Sequence, residues 1–448
     1  MGTDVASATR GRMELQVSAN PLLHLAGAAD FLLTYPYGCT EQRASALIPW
    51  LLYDHLAPFC PLMAGTSPEE VKNTVKEIIA ELLNRQCKDG GLAYWAGQRE
   101  SCLWASAHAA CVLKLAQEQG YEVPEEKLEN LLQFLWKADT SELSAMAQFC
   151  LARTRGESEG MMSVLLKALE KKDACLDRES RAGMQFILSL LTTPAEGDAA
   201  FRSWMRTVGR DYRHGTTQRH AWTLLALAEY LNLRKNGGGE ATLLLQDGTE
   251  IKLDKGSTTV PLPWQAGQEM KTLPATLAAK EGTVYATFSV RALPVTTDYP
   301  GVTECGLQLT RLYETKGADG VWRPATSFKV GDVVRVTLTC AKVADELKYL
   351  VLEDYLPSCM EAINPNVPGQ SAGLEPTRWS FWFDHREYLA DRVRGFCTRW
   401  EGRDLLNMQY YARVKRAGTS AAPPAQAQLM YEPQVYGLSP NTRIVSEP

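Results

Sequence analysis

The chain has 448 residues, 45% hydrophobic and 22% charged, with a formal net charge of −5. That is long enough for two or three domains with sizeable cores, and the scattered Lys and Arg residues exclude an electrostatic nucleic-acid binder. No apolar run reaches the ~18 residues of a membrane span, residues 1–20 lack the apolar core of a secretory signal, and the eleven cysteines form no CxxC pair, so no zinc or other metal is expected.

Near the start, Met13, Leu15 and Val17 alternate with Glu14, Gln16 and Ser18, the period of a half-buried strand. It has no local partner. The next strand-like runs lie beyond residue 240, so this strand is expected to pair with them, which makes the region between an insertion in a β-domain.

The stretch Tyr35-Pro36-Tyr37-Gly38-Cys39-Thr40-Glu41-Gln42 then opens into an apolar run from Ala44 to Leu52. Pro36 presets a turn, Gly38 permits backbone angles closed to other residues, and Glu41 suits the positive first turn of a helix. Cys39 and Gln42 stand three residues apart, close enough on such a turn for their side chains to meet. A thiol with lowered pKa at a helix N-terminus is a nucleophile, and the Gln42 carboxamide is the nearest acyl carbon. Attack with loss of ammonia would leave an internal thioester. A buried cysteine that merely packs beside a glutamine is the plain alternative. Glu41 either orients the turn or serves as an ordinary first-turn anion.

From Asn20 to Leu233 apolar residues recur at three- and four-residue spacing, in ten segments with short polar or Gly/Pro breaks. Ser67-Pro68-Glu69-Glu70 reads as a helix start and Lys88-Asp89-Gly90-Gly91 as a stop. Helices on short loops suggest paired layers, either a stacked solenoid or a closed α/α toroid. His108 shares a helical face with Trp104, Cys111 and Leu115, which reads as a core histidine. Cys102, Cys111 and Cys150 lie in apolar helical faces and read as buried thiols. With Cys39 set aside ten cysteines remain, an even number that would suit an oxidising compartment.

Lys235 to Gly239 is a glycine-rich linker, Asp247-Gly248 lies between two strand-like runs in residues 241–253, and Thr283 to Val290 supplies another strand. Further on, Val334, Val336, Leu338 and Cys340 alternate with polar residues, as do Met408, Tyr410, Ala412 and Val414. With Tyr349–Leu352 and Phe381–Phe383 between them, a sandwich of about seven strands is expected.

The run YPYGCTEQ resembles the thioester signature of the alpha-2-macroglobulin and complement thioester-protein family, specifically its bacterial branch. Gln86 to Trp95, Leu103 to Ala105 and Ala221 to Ala226 look like recurring helices of that family's thioester domain. Lys329 to Asp332, Val351 to Pro357 and Ala421 to Tyr431 resemble its C-terminal domain. The resemblance implies a multidomain α plus β chain. Residues 1–19 would be the first strand of a CUB-type β-sandwich, 20–236 an inserted α/α toroid thioester domain, 237–295 the rest of the CUB-type domain, and 296–448 a macroglobulin-like, receptor-binding-type β-sandwich.

It further implies a single-use protease trap rather than a turnover enzyme, needing no cofactor. Cys39 and Gln42 would form the cross-link, Glu41 would support it, and Tyr35, Pro36, Tyr37 and Gly38 would shape the turn. Target proteases would be captured through surface lysines, upstream macroglobulin domains would complete the protein, and association with a cell-wall synthase is implied. Its expected place is the periplasm or cell surface, anchored to the inner membrane through an upstream lipid signal. Tyr431 and Tyr436, in a tyrosine-rich segment after the last strong strand, are candidate shields for the thioester. The catalytic histidine that some complement proteins carry has no match here. A toroidal glycosidase or cyclase would need paired carboxylates, and a cysteine hydrolase using Cys39 would need a histidine base within reach.

Overall fold

The computed structural model describes residues 10–138, 144–170, 178–208, 215–233, 240–245, 250–253, 257–262, 277–281, 283–293, 301–302, 305–342, 346–402 and 405–448. The chain divides into two compact units, Met1–Leu293 and Pro294–Pro448.

In the first unit, strand β1 (Arg10–Ser18) is followed by a 3-10 turn and eleven helices among the described residues. These are α1 (Ala26–Thr34), α2 (Thr40–Leu51), α3 (Tyr53–Leu56), α4 (Pro68–Leu83), α5 (Leu103–Glu118), α6 (Glu125–Lys137), α7 (Ala145–Arg155), α8 (Ser158–Glu170), α9 (Arg178–Thr192), α10 (Gly197–Met205) and α11 (Thr217–Leu233). Strands β2 (Ala241–Leu245), β3 (Glu250–Leu253), β4 (Ser257–Leu262), β5 (Leu277–Glu281) and β6 (Tyr285–Leu293) complete the unit. β1 pairs antiparallel with both β4 and β6, Leu15 facing Val260 on one side and Phe288 on the other. The helices thus lie, in sequence, between strands of one sheet. β3-β2-β5 forms a second three-stranded sheet, and Leu15, Val17, Leu243 and Leu253 join the two sheets in a small core. The Asp247-Gly248 turn and the linker at 235–239 lie outside the described residues.

Helix ends follow local chemistry. Ser67 caps α4 by accepting from the Glu70 N–H at 3.3 Å, while the Glu70 carboxylate accepts from the Ser67 N–H at 2.7 Å. Ser144 caps α7, which stops at left-handed Gly156 (φ 70). One apolar core unites the helices, and their contacts run α2–α5–α7–α8–α9–α11 and return to α2, a closed circuit. None of the described helices is long and apolar enough to cross a membrane.

The second unit is all β. Its strands are β7 (Leu307–Lys316), β8 (Trp322–Pro324), β9 (Ser327–Lys329), β10 (Val333–Lys342), β11 (Glu346–Tyr355), β12 (Met360–Ala362), β13 (His385–Tyr388), β14 (Arg392–Glu401), β15 (Leu406–Val414), β16 (Gly418–Ala422), β17 (Gln426–Leu429), β18 (Glu432–Leu438) and β19 (Thr442–Glu447). They form two five-stranded sheets, β12-β15-β10-β7-β8 and β13-β14-β11-β17-β18, and a three-stranded sheet β16-β19-β9. Val334, Val336, Leu338 and Cys340 on β10 and Met408, Tyr410, Ala412 and Val414 on β15 point into one core, as their alternation predicts. Two expectations need correction. Thirteen strands are present among the described residues rather than about seven, and of these β8, β9 and β12 are too short to show an alternating period. Phe381–Phe383 is a turn rather than a strand: Phe381 is 79% exposed, while Trp379 and Phe383 pack over Gly395, where a Cβ would fall 2.6 Å from both rings.

Candidate functional site

Cys39 is the N-cap of α2, in extended backbone (φ −65, ψ 168). Its N–H donates to Gln42 Oε1 at 3.0 Å, and its sulfur accepts from the Gln42 N–H, so the two residues close a reciprocal capping box. The cap folds the Gln42 side chain back over Cys39, with its carbonyl polarised by a backbone donor. Both residues are buried, Cys39 at 0% and Gln42 at 2% exposure.

The turn is pinned from the 86–95 loop and from α4. The Thr40 N–H donates to the Tyr94 carbonyl at 2.9 Å and its hydroxyl to the Ala93 carbonyl at 2.5 Å. Buried Arg85 donates to the Gly38 carbonyl at 2.9 Å and to Thr40 Oγ1 at 3.2 Å, and pairs with Glu81 at 2.6 Å. Burial lowers the Arg85 pKa, against which Glu81 and Cys39 act. The loop can approach because of Gly90 (φ 95), where any Cβ would lie 2.4 Å from the Asn130 carbonyl oxygen of α6.

Glu41 points into the core. Its carboxylate accepts from Ser45 Oγ at 2.8 Å and from Thr217 Oγ1, on α11, at 2.7 Å. Ser45 also meets His108 Nε2 at 2.9 Å, and His108 Nδ1 lies 3.7 Å from Cys150 Sγ. Pro49, four residues after Ser45 in α2, has no N–H to give the Ser45 carbonyl. Aromatic rings gather at the turn: Tyr35 meets Tyr37 edge-on at 5.4 Å and Phe31 at 5.4 Å, and Tyr94 contacts Trp95 and Trp104. Burial, then the neighbouring Tyr37, Glu41 and Cys39, raise the Tyr35 phenol well above its usual range.

The structure thus brings Cys39, Glu41 and Gln42 together on one turn with Tyr35, Tyr37 and Gly38, while Pro36 is exposed. Tyr431 and Tyr436 belong to the second unit, where both are half-buried. Tyr431 packs edge-on against Tyr349 at 5.1 Å, and the Tyr436 N–H donates to the Cys305 carbonyl at 2.9 Å. Sequence reading missed Arg85, Ser45, Thr217 and Cys150. The i+4 spacing of Glu41 and Ser45 was the one available signal, because Thr217 is 176 residues from Glu41. His108 is a core residue as expected, but both of its ring nitrogens have polar partners. The described cysteines form no disulfide, and no cluster of metal-ligating residues occurs among the described residues.

A sequence profile for the bacterial alpha-2-macroglobulin MG10 domain matches residues 306–434. Alpha-2-macroglobulin of Escherichia coli (strain K12) is 26% identical over 487 residues, covering 94% of this chain and 29% of the relative. Alpha-2-macroglobulin of Rickettsia conorii is 32% identical over 84 residues, 19% of this chain and 4% of the relative. Among solved structures, native E. coli alpha-2-macroglobulin from domain MG7 to the C-terminus superposes with a TM-score of 0.75 at 20% identity, covering 100% of this chain and 79% of that one. Salmonella alpha-2-macroglobulin reacted with methylamine gives 0.74 at 20% identity, over 99% of this chain and 32% of that one. The chain therefore spans less than a third of the length of the first two curated relatives.

Proposed function

The chain belongs to the bacterial alpha-2-macroglobulin family, and from that premise we propose that it carries the covalent warhead of a protease trap. The warhead is an internal thioester between Cys39 and Gln42. In its formation the Cys39 sulfur attacks Gln42 Cδ, the C–N bond breaks, and the thiol proton leaves with ammonia. The carbon–sulfur bond then waits for a second nucleophile. A surface lysine of an attacking protease adds to Cδ, the C–S bond breaks, and the lysine proton returns to Cys39 as a thiol. One trap is consumed for each protease bound.

The observation that carries this reading is the reciprocal cap at the head of α2. The Cys39 N–H on Gln42 Oε1 sits where negative charge develops as sulfur adds to the carbonyl. Burial keeps water, the competing nucleophile, from the acyl carbon. Tyr35 and Tyr37 supply cover from within the same unit, and Tyr431 and Tyr436 stand as candidates for further cover, tested by whether alanine at either speeds amine uptake. In the same proposal the helical region is an α/α toroid inserted in a CUB-type sandwich, the closed circuit of helix contacts supporting that assignment. The trap acts in the periplasm or at the cell surface, protecting the envelope. Mass spectrometry tests the bond, since its formation makes the chain about 17 Da lighter than its sequence. Methylamine should convert the deficit into an excess of about 14 Da over the sequence by labelling Gln42, while releasing one thiol. Unchanged mass and a Cys39 that titrates without methylamine would refute the reading.

A further inference from the structure

With Glu41 ionised, hydrogen-bond accounting fixes how the protons run behind the reactive turn. Ser45 has one hydroxyl proton, and it is spent on Glu41 Oε1 at 2.8 Å. At its 2.9 Å contact with His108 Nε2, Ser45 is therefore the acceptor and the imidazole the donor. A neutral imidazole that donates through Nε2 accepts at Nδ1, and there Cys150 Sγ lies at 3.7 Å, its thiol shared with a hydrogen-bond contact to Cys111. Burial lowers the basicity of His108, in keeping with a neutral ring. The protons thus run one way, from His108 to Ser45 to Glu41, and Thr217 adds a second donor to the far oxygen at 2.7 Å. All of these residues are buried at 1% exposure or less.

We propose that His108 and Ser45 are positioning residues for the Cys39–Gln42 reaction: their hydrogen bonds run one way onto an ionised Glu41 and tie this residue, which lies between the reacting pair in sequence, to α5. This rests on the thioester reading above. Loss of the His108 or Ser45 side chain would cut the tie between Glu41 and α5, which anchors α2 next to the reacting pair. A shift of the turn by a fraction of an ångström separates the sulfur from the acyl carbon, and reactions between held groups are steeply sensitive to such misplacement. No proton of the relay is consumed, since the thiol proton leaves with ammonia.

The test uses the full chain. His108→Gln keeps an N–H donor for Ser45, whereas His108→Leu removes it and Ser45→Ala breaks the relay one step nearer. Thiol released by methylamine, counted per folded chain, should stay within about twofold in His108→Gln and fall at least about tenfold in the other two. Nitrogen-15 NMR of the imidazole should show the neutral Nε2–H tautomer in the unsubstituted protein. Full thiol release from folded His108→Leu and Ser45→Ala overturns the proposal, as does a His108→Gln protein that fails as badly as His108→Leu. A normal thiol yield beside an Nδ1–H tautomer overturns the positioning role alone. An unsubstituted protein with no releasable thiol and no mass deficit overturns the thioester reading and the positioning role with it.

Discussion

Two helices of the first unit begin with the same device. At α4, Ser67 and Glu70 cap each other in full exposure; at α2, Cys39 and Gln42 do so in burial. The backbone geometry is shared, and each pair satisfies otherwise orphaned N–H groups. The differences are chemical. Ser67 offers a weak nucleophile to a carboxylate whose pKa its own cap lowers, and a carboxylate has no leaving group to expel. Cys39 offers a sulfur to a carboxamide that can lose ammonia, where water is excluded. A capping box by itself only ends a helix, and the proposed warhead requires residue type and burial to change together.

Cys39→Ser breaks that contrast most completely. Serine is a good N-cap, so the fold should persist, while the mass deficit and the methylamine-releasable thiol should both vanish. Intact-mass measurement with circular dichroism checks both halves. The next largest effect belongs to the other unit, where buried Asp354 pairs with Arg311 at 2.7 Å and accepts from the Tyr410 hydroxyl at 2.7 Å. Asp354→Asn leaves Arg311 uncompensated and should cost about 3–5 kcal/mol in denaturant unfolding of that unit, with thiol release unchanged.

A pH titration sharpens the role of burial. The folded state holds His108 at about 4 against an ordinary 6.5, so the unfolded chain binds more protons between those values. Its contribution is complete above pH 6.5 and is lost as pH falls toward 4, a change of about 3 kcal/mol that His108→Gln should remove from the pH-stability profile of the helical unit. The smallest effect is at the exposed cap. Ser67→Ala should cost about 1 kcal/mol and leave thiol release untouched, which thermal unfolding and a thiol count would register together.

Local rules made much of the fold legible. Alternation placed β10 and β15, three- and four-residue spacing placed the helices, and Ser67-Pro68-Glu69-Glu70 marked the start of α4. Phe381–Phe383 misled because three apolar residues beside tryptophans look like a strand. What made them a turn is Gly395 on β14, which leaves room for Trp379 and Phe383 to pack against it while Phe381 faces solvent.

By itself the sequence determined the pair that the proposed thioester would join. Cys39 and Gln42 lie within one helical turn, and a capping box is a contact between residues three apart that needs no other part of the chain. Only the tertiary structure decided what surrounds them. Arg85, Thr217, His108 and Cys150 reach the turn from four other helices or their ends, and the longest of these contacts spans 176 residues. Pairings at such separations leave no periodic trace, because each partner obeys only the local pattern of its own helix. Their convergence is set by how the helices pack around one core.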